Sequence, residues 1–221
     1  MKDIEIKSLD AFFKHLEEDS ELVVYRGVSK KSYQLIPSVG RRSDLKPEDV
    51  IHYEEELFYE FKRRAPAFLD FQPASQWEWL CLAQHHGLPT RFLDWTANPL
   101  VALFFAAEKD FDSDCAVYSF MMGRVFVPDF DSRTDAPFSH KEFDLFYPKL
   151  THPRFNAQSA LFTIHPKPWL AVEGGLIHRM VFNKDMKPDL LHWLGKSGIN
   201  WSVLFPGLEG LAKHLAWSSG Y

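Results

Sequence analysis

The sequence predicts a mixed α+β fold, a single domain with a small β core flanked by helices. Two observations predict it. Segments with apolar residues at helical spacing are interspersed along the chain with short, separate apolar runs typical of buried strands. Of the 221 residues, 46% are hydrophobic and 15% are aromatic, which is ample apolar material for one sizeable core. We therefore expect one domain over residues 1–221, without internal repeats.

Helix signals are clear at several places. Ser8 is suited to cap an amphipathic segment, and Ser75-Gln-Trp-Glu78 matches a capping box. Gly87 is a natural residue for the end of that second helix. Asn98 and Pro99 together start a nearly all-apolar helix. The predicted helices cover residues 9–19, 48–64, 76–86, 99–107, 188–194 and 206–217.

Strands are predicted for residues 21–27, 115–120, 160–165 and 176–182, where apolar runs are bounded by turn residues. Residues 29–47 contain proline, glycine and a basic pair, and we expect a loop there. Residues 123–153 are rich in proline and aspartate with weak periodicity, so we expect an irregular excursion and not a linker.

Composition and missing motifs exclude several classes of protein. A net charge of −5 argues against binding nucleic acid by bulk electrostatics. Cys81 and Cys115 lie in apolar contexts and are expected to be reduced core residues. No signal sequence or long apolar span follows the charged N-terminus, so we expect a cytoplasmic protein away from membranes. The sequence lacks GxSxG, Walker and GxGxxG patterns, which disfavours serine hydrolases, P-loop NTPases, kinases and Rossmann dehydrogenases.

The stretch from Leu82 to Glu108 is the strongest candidate for function. We expect the end of one helix, a tight irregular loop and the start of a buried helix, since loops held between rigid elements concentrate binding groups. A stacking surface, hydroxyl groups, a carboxylate and the amide donors of a helix start at Asn98 together suit a nucleotide. The stretch carries His85, His86, Thr90, Arg91, Asp94, Trp95 and Thr96.

Two further segments carry candidate ligand-binding groups. In Tyr25-Arg26-Gly27 a guanidinium fork matches phosphate or carboxylate, and the glycine permits close approach of a ligand. Gln158 precedes a strand and offers a donor and an acceptor to a ribose or an amide.

Structural explanations exist for the same residues. Arg26 would also suit an ion pair at a strand end. Arg91 and Asp94 would simply pair with each other, Trp95 would belong to the core, and Gln158 would be a surface residue.

His85 and His86 raise the alternative of a metal-dependent hydrolase that also uses Asp94. Adjacent helical residues point about 100° apart, so both imidazoles cannot easily bind one ion. No HxxxH pattern is present either. We predict no metal site and expect the two histidines to be part of the scaffold.

Three stretches together resemble the FRG domain family: Tyr25-Arg26-Gly27, QHHGLPTRFLDWTANP at residues 84–99 and RFNAQ at residues 154–158. The sequence LFPGLEGLA at residues 204–212 also looks like the end of that domain. The resemblance therefore spans nearly the whole chain, and the chain resembles a stand-alone FRG domain. The order of its motifs is similar to that of the ADP-ribosyltransferase fold.

The resemblance implies an NAD-using ADP-ribosyltransferase-like enzyme with catalytic positions at Arg26, Asp94 and Gln158. Arg26 would contact the pyrophosphate or a ribose, Trp95 would stack on nicotinamide, and Gln158 would contact the nicotinamide ribose. Because Gln158 occupies a position usually held by Glu, Asp94 or Glu173 is expected to supply the carboxylate. The implied ligand-binding residues are Tyr25, Arg26, Gly27, Thr90, Arg91, Trp95, Thr96 and Asn98.

The same resemblance implies a biological setting. A bacterial toxin or phage-defence effector would modify a protein or nucleic-acid acceptor and would have an antitoxin or defence-system partner. The alternative is a non-catalytic nucleotide- or nucleic-acid-binding module on the same fold, which the absent Glu favours.

Overall fold

One mixed sheet forms the centre of the molecule. The computed structural model describes residues 3–17, 23–121, 125–129, 136–149, 153–174 and 176–220. Within these residues, eight strands and eight α-helices confirm the predicted α+β class. The strands are β1 (Asp3–Ile6), β2 (Val23–Val28), β3 (Phe92–Thr96), β4 (Cys115–Met121), β5 (Val125–Phe126), β6 (Asp144–Phe146), β7 (Ala160–Ile164) and β8 (Ile177–Phe182).

All six predicted helices are confirmed, with ends shifted by a few residues. Residues 18 and 19, which were predicted to end the first helix, lie outside the described residues. Two short helices, over Pro153–Ala157 and Trp201–Leu204, were not predicted. No helix in the described part of the chain is long and apolar enough to cross a membrane. The helices are α1 (Leu9–Leu16), α2 (Pro47–Arg64), α3 (Gln76–His85), α4 (Pro99–Ala107), α5 (Pro153–Ala157), α6 (Lys187–Lys196), α7 (Trp201–Leu204) and α8 (Leu208–Ser218).

Local hydrogen bonds explain why α1, α3 and α4 begin where the sequence predicts. The side-chain oxygens of Ser8, Ser75 and Asn98 each accept a hydrogen bond from a first-turn amide, at 3.2, 3.2 and 2.9 Å. Gly87 has a φ of +86°, as expected for the residue that ends α3. The short-range signals in the sequence therefore fix these boundaries.

The predicted strands at 115–120, 160–165 and 176–182 are confirmed as β4, β7 and β8. The strand predicted at 21–27 is confirmed as β2, which begins at Val23. Residues 21 and 22 of the prediction lie outside the described residues. The prediction of a loop at residues 92–96 is wrong, since these residues form the central strand β3. Phe92, Leu93, Trp95 and Thr96 are buried on its two faces. The run was too short and too mixed in polarity to be recognised from periodicity.

The sheet consists of two halves that meet weakly. Its order is β1-β8-β4-β2-β3-β7-β6-β5, with β1–β8 and β5–β6 parallel and the other neighbours antiparallel. β2 pairs with β4 along six residues, and β3 pairs with β7 along five. Between the described residues of β2 and β3, only Tyr25 and Thr96 are paired. The two strands therefore separate beyond this point, near the middle of the sheet.

Helix α4 lies directly against β2. A Cβ atom added to Gly27 would come within 1.8 Å of the carbonyl oxygen of Ala102 and within 2.6 Å of the backbone nitrogen of Ala106. Both atoms belong to the backbone of α4 and cannot rotate aside. Gly27 is therefore needed for the contact between β2 and α4.

Three buried polar side chains on β3, on β7 and just after β7 are linked in series. The indole nitrogen of Trp95 donates to the hydroxyl of Thr163 at 2.9 Å, and that hydroxyl lies 2.9 Å from Nε2 of His165. Burial, and to a smaller extent the positive charge of Arg26, lowers the pKa of His165 to about 3. The imidazole is therefore neutral near pH 7.

Replacing Gly27 with Ala should lower the free energy of unfolding by about 3 kcal/mol or more, because the new methyl group overpacks against a rigid backbone. Urea denaturation at constant protein concentration measures this change. Gly195, in α6, is the matched control, since a Cβ added there meets no atom within 4 Å. Gly195→Ala should stabilise the protein by about 0.5–1 kcal/mol. Equal effects of the two substitutions would contradict the assigned role of Gly27.

His165 should make the protein less stable as the pH falls below about 6.5. The unfolded state binds a proton near that pH and the folded state does not, so stability is lost by up to about 1.4 kcal/mol per pH unit. The measurement is urea denaturation at pH 7.0, 6.0 and 5.0. His165→Gln should show a shallower loss over this range, while His192→Gln, at an exposed position of α6, is the control for loss of an imidazole. A His165→Gln slope as steep as that of the wild type would be evidence against this assignment.

Candidate functional site

A cleft of about 410 Å³ opens where β2 and β3 separate. Residues of β2, β3 and α3, the C-terminal end of α4 and the turn between α5 and β7 surround it. The cleft therefore brings together segments that lie far apart in the sequence. Its charged and amide side chains include Arg26, Arg41, Gln84, Asp94, Arg154 and Gln158.

Arg26 occupies the gap between the two strands. Its Nη1 donates to the main-chain carbonyl of Asp94 at 2.5 Å and lies 3.4 Å from the Oδ2 atom of the same residue. The guanidinium thus supplies a hydrogen bond that strand pairing does not provide here. Burial lowers the pKa of Arg26, the charge of Asp94 raises it, and the nearby charge of Arg41 lowers it.

Asp94 presents its carboxylate to the cleft, with 56% of the side chain exposed. Nε2 of Gln84 donates to both carboxylate oxygens at 3.0 Å. Oε1 of Gln84 accepts a hydrogen bond of 2.5 Å from the hydroxyl of Thr90, which in turn accepts one of 3.1 Å from the amide of Phe92. Thr90 therefore fixes the orientation of the Gln84 amide, so that its NH₂ group faces the carboxylate of Asp94.

Gln158 also lines the cleft, at the turn between α5 and β7. Its Nε2 donates to the carbonyl of Leu204 at 3.0 Å, and its main-chain carbonyl accepts a hydrogen bond of 2.7 Å from the hydroxyl of Thr96. Thr96 therefore attaches the end of β3 to this turn. Arg26, Asp94 and Gln158, the three predicted catalytic positions, line the same cleft.

Two arginines of the cleft were missed in the sequence analysis. Arg41 is the last residue of a short 3₁₀ helix (Val39–Arg41) within the segment predicted as loop, and its Nε donates to the carbonyl of Ile36 at 2.9 Å. The guanidinium of Arg154 lies over the ring of Phe205 at 4.4 Å. In the sequence, Arg41 belongs to a basic pair at 41–42 and Arg154 to the RFNAQ stretch. Neither pattern indicates that the side chain points into a cleft.

Thr90 and Arg91 are structural residues. Thr90 is fully buried and Arg91 is 1% exposed. Arg91 pairs with the buried Glu54 and not with Asp94: Nε donates to Glu54 Oε2 at 2.8 Å, and the main-chain amide donates to Oε1 at 2.6 Å. This pair joins α2 to the start of β3. The predicted ligand contacts of Thr90 and Arg91 are therefore not supported by their positions.

Tyr25 and Trp95 are core residues. Tyr25 is 6% exposed and belongs to the cluster packed under α4. The indole of Trp95 is 3% exposed, packs on Phe120 and bonds to Thr163. Tyr25 and Trp95 also line the cleft, and the stacking of Trp95 on nicotinamide stays a prediction.

Thr96 and Asn98 are likewise engaged within the protein. The hydroxyl of Thr96 accepts from the amide of Asn98, and the side chain of Asn98 caps α4. The amides of Val101 and Ala102 donate to the carbonyl of Asn98, and Pro99 has no amide hydrogen. The start of α4 therefore offers no unpaired donor to an anion, contrary to the sequence-based expectation.

The two histidines and Glu173 occupy different surroundings. The ring of His85 lines the cleft and packs edge-on against Phe155 at 5.2 Å, whereas His86 is exposed. Glu173 lines a separate, mainly apolar cavity on the sheet and is not part of this cleft. Among the described residues, no group of three or more His, Cys, Asp or Glu side chains is placed to hold a metal ion.

The comparisons with known proteins identify one family. Residues 21–115 match the model of the FRG domain. The matched stretch contains Arg26, Gln84 and Asp94, and Arg154 and Gln158 lie beyond it. No curated protein and no solved structure matched the chain. The match over residues 21–115 supports the resemblance to the FRG domain family.

Proposed function

We propose that this protein is an NAD-using, ADP-ribosyltransferase-like enzyme. The observation that carries the proposal is the presence of Arg26, Asp94 and Gln158 around one cleft. A volume of about 410 Å³ falls within the range of pockets that bind small molecules, about 300–1,000 Å³. The order of these three positions in the sequence also agrees with the motif order of the ADP-ribosyltransferase fold.

The charges of the cleft suit a dinucleotide. Arg26, Arg41 and Arg154 supply guanidinium groups, which match phosphate oxygens in geometry and charge. Asp94 and Glu108 supply the negative charges. Burial raises the pKa of Glu108.

Asp94 is the group best placed to assist the reaction. When the bond between nicotinamide and ribose breaks, nicotinamide leaves with the bonding electrons and positive charge develops on the ribose. A nearby carboxylate stabilises that charge, and the acceptor then forms a bond to the ribose and loses a proton. Asp94 is exposed to the cleft, and Gln84 fixes its orientation. In this proposal Asp94 takes the part usually played by Glu.

Asp94→Asn should lower kcat for nicotinamide release by about 10²- to 10³-fold, because the developing positive charge loses its counter-charge. The Kd for NAD should change much less, since the variant keeps an acceptor for Gln84. The assay follows nicotinamide released from labelled NAD and label transferred to proteins or nucleic acids of a bacterial lysate. Asp70→Asn, at an exposed position outside the cleft, is the matched control.

Wild-type protein that releases no nicotinamide and labels no acceptor would overturn the enzymatic proposal. Saturable binding of NAD or ADP-ribose in calorimetry, without such turnover, would favour a non-catalytic nucleotide-binding module. One observation favours that second function: Gln158 replaces the expected Glu, and its amide group is engaged with Leu204. Saturable binding of short oligonucleotides in the same experiment would instead favour a nucleic-acid-binding module.

The biological setting belongs to the same proposal. A cytoplasmic toxin or phage-defence effector of bacteria would need a macromolecular acceptor, and the lysate assay reports that acceptor directly. An antitoxin or defence-system protein would be its partner.

A further inference from the structure

A smaller recess of about 240 Å³ adjoins the cleft. The two cavities share Arg26, Arg41, Gln84, Gly87 and Asp94, so the recess is continuous with the cleft at its arginine-rich end. We propose that this recess binds the diphosphate group of a nucleotide between Arg26 and Arg41, while the cleft holds the nucleoside. The inference rests on the proposed function for the nucleotide and goes beyond it in assigning Arg41 and the recess to the diphosphate.

The hydrogen-bond donors of the recess point to an anion. The amides of Gly87 and Leu88 already donate to carbonyls of α3, and the hydroxyl of Ser38 is engaged with the main chain of Thr90. The Gln84 amide is bound to Asp94. The donors that remain for a ligand are those of the two guanidinium groups.

Each of these arginines is held in place through one nitrogen. Arg26 uses Nη1 on Asp94, and Arg41 uses Nε on the carbonyl of Ile36. Within the described residues, Nη2 of Arg26 and both terminal nitrogens of Arg41 make no hydrogen bond. A diphosphate offers several acceptor oxygens at once. It can therefore accept hydrogen bonds from both guanidinium groups, whereas a single carboxylate has only two oxygens.

The charge balance of the recess is positive. Arg26 and Arg41 contribute two positive charges and Asp94 one negative charge, which leaves an excess of one positive charge. The two arginines are close enough for the charge of Arg41 to lower the pKa of Arg26, in addition to the larger effect of burial. A bound anion would relieve this repulsion. The Asp94 carboxylate opposes an anion, so the phosphate group is expected on the Arg41 side.

Arg41 is the residue to change, because Arg26 also supports the backbone of β3. Arg41→Gln should weaken binding of ADP and of inorganic pyrophosphate by about 10- to 100-fold, since a hydrogen-bonded charge pair is lost. The neighbouring Arg42 is the matched control, because its guanidinium pairs with Asp44 and lies over the ring of Tyr53. Arg42→Gln should change either affinity by less than about twofold.

Calorimetry with ADP, inorganic pyrophosphate and adenosine measures these affinities on the purified full chain. We expect adenosine to bind at least tenfold more weakly than ADP, and its affinity to be unchanged by Arg41→Gln. Adenosine binding as tightly as ADP, no binding of ADP or pyrophosphate, or equal effects of Arg41→Gln and Arg42→Gln would each overturn the phosphate site.

The experiments distinguish a failure of the proposed phosphate site from a failure of the proposed enzymatic activity. Nicotinamide release with an unchanged KM for NAD in Arg41→Gln would overturn the site and leave the activity intact. Arg41-dependent binding of ADP without nicotinamide release would support the site and overturn the activity.

Discussion

The hydrogen bond from Arg26 to the carbonyl of Asp94 connects the two halves of the sheet where their backbones no longer pair. A buried strand cannot leave its carbonyls unsatisfied without a cost of about 1–3 kcal/mol each. A side chain meets that requirement here, and so β2 and β3 can diverge and form a cleft inside a continuous sheet. The same guanidinium remains available to the cleft through its other nitrogens.

Several residues of the stretch from Leu82 to Glu108 serve to hold the carboxylate of Asp94. Thr90 orients Gln84, Gln84 orients Asp94, and the Glu54–Arg91 pair fixes the start of β3. Removing one partner of such a buried pair is strongly destabilising, because it leaves an uncompensated charge. Thr90 and Arg91, which look like ligand contacts in the sequence, are therefore part of a rigid support for Asp94.

The fold was largely predictable because its helices and outer strands carry local signals. Caps such as Ser75 and Asn98 act within one turn and can be recognised without tertiary information. β3 was not predictable, since its pairing with β7 depends on residues 64 to 72 positions away. For the site, sequence and family resemblance named Arg26, Asp94 and Gln158. The burial of Trp95 and the position of Arg41 depend on packing, which no local pattern encodes.

A crystal structure of the protein soaked with NAD would test the central claim, that the gap between β2 and β3 is a dinucleotide site. The account predicts electron density with the diphosphate between Arg26 and Arg41 and a ribose beside Asp94 and Gln158. The hydrogen bond from Arg26 to the Asp94 carbonyl should be retained. NAD bound elsewhere on the molecule, or a cleft without ligand density at saturating NAD, would contradict it.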